Sequence, residues 1–381
     1  MHRKWYGNSF RLGMVGGGQL GRMFIQEAIN FDVQVHSLDP DPEAPCKSIA
    51  TSFTVGSLND YDALYNFGLD KDVITVEIEN VNIEALERLE EEGKKVFPQP
   101  RILKIIQDKG LQKQFYLDNN IPTAPFELVE NKAEINSHLT SFPFMQKLRK
   151  GGYDGKGVQA LRNNEDLNHA FDAPSVLEKM IPFVKELSII VARNENGQTA
   201  VYPAVECEFN PEANLVEFLF SPAEISNDIE ERSKKIALDV INKLGMVGLL
   251  AVELFLLENG EILVNEIAPR PHNSGHHTIE CNITSQYEQH MRSVLNLPLG
   301  STNLVQSGVM INLLGEKDFE GDVYYENYEE ALALEGVKIH IYGKQKTKSF
   351  RKMGHVTVGN PSLQKAKEIA RKVQEILKVK A

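Results

Sequence analysis

The chain has 381 residues and a net charge of −12, from Lys+Arg 41 against Asp+Glu 53. At roughly 150 residues per domain this length predicts two or three domains, with ample chain to bury their cores. The acidic balance argues against broad nucleic-acid or anionic-membrane binding, so an anionic ligand would need a local basic cluster.

Three scattered cysteines, Cys46, Cys207 and Cys281, have no metal-binding spacing and fit a reducing compartment. No apolar run is long enough to span a bilayer, and the first residues lack a signal-like apolar stretch. A cytoplasmic protein is expected.

In chain order, residues 12–16 predict a strand, 20–30 a helix and 33–38 a second strand. Another apolar run, 73–78, precedes an acid-rich helix over 82–92. This βαβ rhythm implies a parallel, doubly wound sheet that ends near Pro98 and Pro100. From 109 to 295 the pattern becomes α+β, with hairpin signals at Asn196-Gly197 and Asn259-Gly260. A smaller unit follows Pro298, with strands near 309–314 and 338–341 and a closing helix over 362–377. The expected domains are 1–108, 109–296 and 297–381.

Six segments carry chemistry. Gly16-Gly17-Gly18-Gln19-Leu20-Gly21 is a GxGxxG run between strand and helix, with Asp39 downstream. Its amides could receive a dinucleotide or another phosphorylated small molecule, or the glycines could serve tight-turn packing alone. Gly151 to Gly157, with Lys147 before it and Lys156 within it, predicts a cationic loop that can lie over polyphosphate. It is not a Walker A loop, because Gly157 follows Lys156 where Ser or Thr is required. Glu178-Lys179-Met180-Ile181 and Glu186 could offer backbone groups to an adenine edge and a carboxylate to a ribose, or form an ordinary strand end.

A two-residue turn at Asn259-Gly260 would pair Glu258 with Glu261 and, counting outward, Glu253 with Glu266. Two carboxylates would then face each other roughly 5 Å apart, compensated by a divalent cation, a shared proton or a nearby lysine. By that register, Glu266→Gln should stabilise or barely affect the metal-free fold. The run from Pro269 to His277 offers Arg270, His272 and Asn273 as donors, while its three histidines lack partners at zinc spacing. Residues 343–355 hold Lys344, Lys346, Lys348, Arg351 and Lys352 with no acid, and supply the required basic patch. Lys344 and Arg351 flank its turn.

The segments GGGQLGRM, TVEIENV, GGYDGKG, NEIAPRPHNSGHH and IHIYGK…RKMGHVTV resemble the signatures of the 5-(carboxyamino)imidazole ribonucleotide synthases. These are ATP-grasp enzymes of purine biosynthesis, and the resemblance runs from about residue 12 to 358. It implies an α/β and α+β chain: an ATP-grasp fold with an N-terminal Rossmann-like (pre-ATP-grasp) domain and a small C-terminal domain for the substrate phosphate. The implied reaction joins ATP, bicarbonate and 5-aminoimidazole ribonucleotide through carboxyphosphate, with Mg2+, in a homodimer that binds neither nucleic acid nor membrane.

By position, the resemblance assigns ATP to Lys109, Lys147, Gly152, Tyr153, Asp154, Gly155, Lys156, Gly157, Val158, Glu178, Lys179, Met180, Ile181, Glu186, Asn265 and Glu266. Glu253 and Glu266 would hold magnesium, and Lys156, Arg270 and Asp154 would be catalytic. Gly18, Gln19, Leu20, Glu77, Tyr153, Asp154, His272, Asn273, Lys344 and Arg351 would contact the ribonucleotide, the last two at its 5′-phosphate. Two positions depart from the family pattern. Lys109 stands where arginine is usual and loses the bidentate fork, and Phe209 stands where a histidine is expected. Competing readings are a formate-dependent ribonucleotide transformylase, a nicotinamide-dependent oxidoreductase and a non-catalytic nucleotide sensor.

Overall fold

The structure, a computed structural model, describes residues 4–135, 143–152, 157–210 and 215–381. It begins with β1 (Leu12–Val15), α1 (Gln19–Asn30), β2 (Val35–Asp39), β3 (Ser52–Val55) and α2 (Tyr61–Gly68). β4 (Val73–Val76), α3 (Ile83–Glu91), β5 (Lys95–Phe97) and α4 (Pro100–Ile106) complete the unit. Its five strands form a parallel sheet in the order β3-β2-β1-β4-β5. β1 and β4 are buried along their whole length, as strands covered on both faces must be. They also flank the point where strand order reverses, so a crevice opens at their carboxyl ends. α2 and α3 start at side-chain caps, Asp60 on the Ala63 amide and Asn82 on the Ala85 amide. β3 and α2 were not expected from sequence, and β3 is a solvated edge without the buried alternation that marks a strand.

The middle of the chain opens with α5 (Lys109–Asp118), whose first turn is capped by Asp108 on the amides of Gly110 and Leu111. β6 (Phe126–Val129), α6 (Lys132–Ile135), β7 (Phe144–Leu148), β8 (Val158–Leu161) and β9 (Ser175–Lys179) follow. Their strands make a small antiparallel sheet, β6-β9-β7-β8. Next come β10 (Phe183–Arg193), β11 (Thr199–Val201), β12 (Val205–Asn210), β13 (Leu215–Ser221) and α7 (Asn227–Leu244). β14 (Gly248–Leu257), β15 (Ile262–Ala268), α8 (Thr278–Cys281) and α9 (Gln286–Val294) close this part.

The C-terminal part contains β16 (Ser307–Leu314), β17 (Gly321–Asp322), β18 (Tyr324–Glu326), α10 (Tyr328–Leu332) and β19 (Val337–Ile341). β20 (Lys346–Thr347), β21 (Lys352–Asn360), α11 (Leu363–Ile376) and β22 (Lys378–Lys380) end the chain. The large sheet runs β15-β14-β10-β12-β13-β16-β21-β19, with β11 beside β10. Its β13–β16 pairing, Phe218 opposite Ile311, carries hydrogen bonding across the domain boundary expected at 297. The boundary exists in sequence, but the sheet does not stop there.

Among the apolar cores of the described residues, three do most to join these elements. α7 packs Ala237, Val240 and Ile241 onto Leu187, Val252 and Val264 of the large sheet. α1 and α9 share a core through Phe24, Tyr287 and Met291, which fixes the first domain against the second. α11 covers Val309 and Val356 with Ala366, Ala370 and Val373. Among the described residues no helix is long and apolar enough to cross a membrane.

Candidate active site

The β14–β15 hairpin brings Glu253 and Glu266 opposite each other, as expected, but by a different route. The loop has three residues. The Leu257 amide donates to the Glu261 carbonyl at 2.9 Å, and Gly260 takes the left-handed conformation at φ 81. This displaces the register by one, so Leu254 faces Val264 and Leu256 faces Ile262. A bulge between Glu253 and Leu254 then restores it, with Asn265 as the extra residue. Two departures from the simple ladder cancel. The bulge also has a chemical result, because it re-aims a side chain and brings Asn265 into the site beside Glu266. The Asn265 Nδ2 donates to Glu253 Oε2 at 3.4 Å, and the Lys147 Nζ donates to Asn265 Oδ1 at 3.0 Å.

Lys109, at the first turn of α5, places its Nζ 2.6 Å from Glu266 Oε2. Of the compensations open for the facing carboxylates, the nearby lysine is therefore present, and it is one-sided. Burial would raise the Glu266 carboxyl, but Lys109 and then Lys147 outweigh it and hold it low. Among the described residues Glu253 makes no ion pair with a lysine or arginine, and burial, Glu266 and Glu186 push it up to about 7 against the weaker pull of Lys109 and Lys147. The Lys109–Glu266 pair argues instead that Glu266→Gln destabilises the fold, not that it stabilises or barely affects it, since that change would strip Lys109 of its partner.

The ammonium groups continue beneath the hairpin. Glu178 on β9 is 4% exposed, with Oε2 3.0 Å from Lys147 Nζ and Oε1 3.1 Å from Lys113 Nζ. Burial acts to raise the Glu178 carboxyl, and the two lysines reverse the shift. Lys113, bonded also to Thr123 Oγ1 at 2.7 Å, is pushed down to about 8 by burial. Both Glu178 oxygens are thus occupied. Glu186, half-buried at the start of β10, is pushed up to about 7 by burial and is the carboxylate better placed to accept from hydroxyls. The amides of Lys179 and Met180 donate to the carbonyls of Pro125 and Pro143, which ties down this strand end.

Arg270, between Pro269 and Pro271, is gripped by Glu79. Its Nε donates to Glu79 Oε2 and its Nη2 donates to Oε1 at 3.1 Å. His272 lies 3.6 Å from Glu253 through Nε2, and its Nδ1 is 2.9 Å from Ser274 Oγ. Asn273 exchanges amide hydrogen bonds with Asn312 of β16, at 2.8 and 2.9 Å. His276 and His277 are core residues, and burial lowers both, His277 to about 4. The His276 ring stacks on His355, which stacks on His340, at centroid distances of 4.6 and 4.4 Å. That half of the motif packs against the C-terminal strands.

At the crevice, the Gly16 loop is occupied by the protein itself. The Glu77 carboxylate, just past β4, accepts from the Gly18 amide and from Gly21 at 2.5 Å. A Cβ on Gly16 or Gly18 would lie 2.4 or 2.5 Å from Glu77 atoms, so these glycines permit its close approach. Asp39 accepts from the Gly17 amide at 2.7 Å. A phosphate on the same amides would meet two carboxylates, which weighs against an anion or a dinucleotide at this loop. Gln19 and Leu20 open α1 just behind this loop.

Lys344 and Arg351 donate across one turn to the carbonyls of Lys352 and Lys346, at 2.7 and 2.6 Å. Arg22 of α1 reaches this turn at Gly343, 3.5 Å from the place a Cβ would occupy. The basic patch therefore adjoins the Gly16 loop, although Glu320 from outside the segment shares the Arg351 hollow.

Gly152, Gly157 and Val158 border the glycine-rich loop at β8, whereas Tyr153, Asp154, Gly155 and Lys156 lie outside the described residues. Sequence reasoning missed Glu79, Lys113 and the Arg149–Asp108 fork of 2.9 and 2.8 Å. Only Glu79 had a signal, as the second acid of TVEIENV. Among the described residues no three His, Cys, Asp or Glu side chains group into a metal cage. The donors of Glu253 and Glu266 are hard oxygens suited to a cation that takes its other ligands from phosphate and water.

Three domain families match the chain in order. The ribonucleotide synthetase preATP-grasp domain matches residues 10–107, and the ATP-grasp domain matches 114–287. The phosphoribosylaminoimidazole carboxylase C-terminal domain matches 308–369. The chain is 37% identical over 354 residues to the N5-carboxyaminoimidazole ribonucleotide synthase of Bacillus subtilis, covering 91% of this chain and 90% of that protein. It is 38% identical over 361 residues to the chloroplastic phosphoribosylaminoimidazole carboxylase of Vigna aconitifolia, covering 92% of this chain but 64% of that longer protein. The N5-carboxyaminoimidazole ribonucleotide synthetase structure from Thermotoga maritima superposes with a TM-score of 0.91 at 41% identity, covering 98% of this chain and 99% of that one. The Aspergillus clavatus synthase in complex with ADP and 5-aminoimidazole ribonucleotide superposes at 0.88 and 31% identity, covering 97% and 98%. With three domain families matched in order along the chain and near-complete coverage of the Bacillus subtilis and Thermotoga maritima proteins, the chain belongs to the N5-carboxyaminoimidazole ribonucleotide synthase family of ATP-grasp enzymes.

Proposed function

We propose that the chain carboxylates the exocyclic amine of 5-aminoimidazole ribonucleotide, using ATP and bicarbonate, in purine biosynthesis. One observation carries the reading. The lysine-flanked Glu178 and the facing carboxylates Glu253 and Glu266 are joined by direct contacts of Lys147, Asn265 and Lys109, and the Glu79-held Arg270 follows four residues after Glu266, with Glu79 within the electrostatic reach of Lys109. A bicarbonate oxygen attacks the γ-phosphorus, releasing ADP and forming carboxyphosphate. The amine nitrogen then attacks the carboxyl carbon, or CO2 released from it, and phosphate departs with the amine proton passed to a base.

Lys147, Gly152, Gly157, Val158, the strand end from Glu178 to Ile181, Glu186 and Asn265 would bind the nucleotide. Glu253 and Glu266 would hold magnesium, which neutralises phosphoryl charge when bound. Their fit to a cation rests on the raised Glu253 carboxyl and on the lysine already drawn to Glu266. Arg270 would receive bicarbonate, with Lys156 and Asp154 completing the set from the loop. Glu77, His272 and Asn273 would meet the ribonucleotide, and Lys344 and Arg351 its phosphate. A cytoplasmic homodimer accompanies the reading, and sedimentation of the purified chain tests its size. Release of ADP must require bicarbonate and 5-aminoimidazole ribonucleotide together. Equal turnover with formate, or without the ribonucleotide, would sink the proposal.

A further inference from the structure

We infer that Glu79 is a positioning residue for carboxylation, fixing the plane of the Arg270 guanidinium and thereby the place where its oxyanion binds. The inference rests on the function proposed above and adds to it a residue from the first domain. Glu79 lies three residues beyond β4, and its backbone is held from α4's end, because Gln107 Nε2 donates to the carbonyls of Glu79 and Val81 at 2.8 Å each. Its side chain takes the Nε/Nη2 edge of Arg270 with both oxygens. A guanidinium is planar, so a fork on one edge sets the direction of the other two. The Pro271 carbonyl, accepting from Nη1 at 3.2 Å, fixes the same plane from the far side.

The pair is no surface tie. The Arg270 and Glu79 side chains are 18% and 29% exposed, and Arg270 lies two residues from His272, itself 3.6 Å from Glu253. Burial would raise the Glu79 carboxyl, yet Arg270 holds it low and ionised, so the fork persists at neutral pH. Tripeptide Glu77-Ile78-Glu79 thus serves two stations. Glu77 closes the Gly16 loop, and Glu79 aims the arginine on the bicarbonate side.

Steady-state kinetics with bicarbonate varied in wild type, Glu79→Gln, Arg270→Lys and the double variant test the claim. Glu79→Gln should raise the bicarbonate KM roughly ten- to hundredfold, as misplacement of a reacting group does, with the ATP KM nearly unchanged. In the Arg270→Lys background the same change should add almost nothing, because Glu79 then has no guanidinium to aim. Glu79→Asp, which keeps the charge but draws it back, should also raise the bicarbonate KM without lowering the unfolding midpoint. The inference is overturned by an unchanged bicarbonate KM, by equal rises for all substrates with a lower midpoint, or by additivity in the double variant. If wild type itself shows no bicarbonate-dependent turnover, the proposed function falls and this inference falls with it.

Discussion

In the metal-free protein, Glu253→Gln should stabilise the fold above neutral pH, and Glu266→Gln should not. The asymmetry comes from Lys109, which sits on Glu266 and leaves Glu253 facing a carboxylate. Burial first, and then Glu266, raise the Glu253 carboxyl from 4.5 to about 7. At 1.36 kcal/mol per pH unit, ionising it in the folded state costs about 3 kcal/mol. Its side chain is 32% exposed, and solvent screening brings the figure to about 2 kcal/mol.

The sign follows from linkage. A carboxyl raised in the folded state adds no penalty below its unfolded value of 4.5, and the penalty builds until pH passes about 7. Glutamine carries no charge at any pH, and its oxygen can still accept from Asn265. Urea unfolding, followed by circular dichroism, should therefore show no difference between wild type and Glu253→Gln at about pH 4.5. At about pH 8.5 the variant should be about 2 kcal/mol more stable. Glu266→Gln should lose about 1–3 kcal/mol, since it leaves a largely buried ammonium without its carboxylate. Magnesium-ATP should raise the midpoint of wild type and of neither variant. A Glu253→Gln protein that is less stable at high pH, or a difference that ignores pH, would refute the reasoning.

Other perturbations probe the remaining contacts. Lys344→Ala and Arg351→Ala should raise the ribonucleotide KM roughly ten- to hundredfold with ATP affinity unchanged, since charge-assisted contacts are worth about 1.5–3 kcal/mol; parallel loss of both would mean a folding defect. Lys113→Met removes one of two cations from a buried carboxylate, and should cost about 3 kcal/mol of stability and raise the ATP KM, as unfolding and kinetics would report. Gly18→Ala puts a Cβ 2.5 Å from Glu77 Oε1, so it should displace that carboxylate and raise the ribonucleotide KM while leaving ATP binding intact, measured by calorimetry.

Local signals were legible where a residue's role is set by its near neighbours. β1, α1, β4 and α3 follow directly from apolar runs and caps. The Glu253–Glu266 pairing was read correctly although the loop was taken one residue too short, because the Asn265 bulge restores the count. A bulge leaves no mark in the apolar pattern. Neither did the Gly16 loop show its occupant, since Glu77 is 59 residues from Gly18. The Arg270–Glu79 fork spans 191 residues, and Lys113 reads from sequence as one more surface lysine on a helix. The fork is chosen by the packing of the first domain on the second, and the Lys113–Glu178 pair by the packing of α5 on β9 within the second.

The unbroken run of strands from β15 to β19 has a mechanical consequence. Glu266 and Asn265 lie on one edge strand, and the Lys344–Arg351 turn joins β19 to β21 at the opposite edge. Between them every strand is hydrogen-bonded to the next, so the sheet acts as a ruler between the carboxylates of β15 and its hairpin and the Lys344–Arg351 cations. A one-residue slip at any seam would turn the side chains of a whole strand to the other face. Hinge motion between the second and third domains would have to break the β13–β16 ladder. The separation of these two clusters is therefore set by strand count, whereas the small β6-β9-β7-β8 lobe, whose strands belong to a different sheet, is not bound by that ladder.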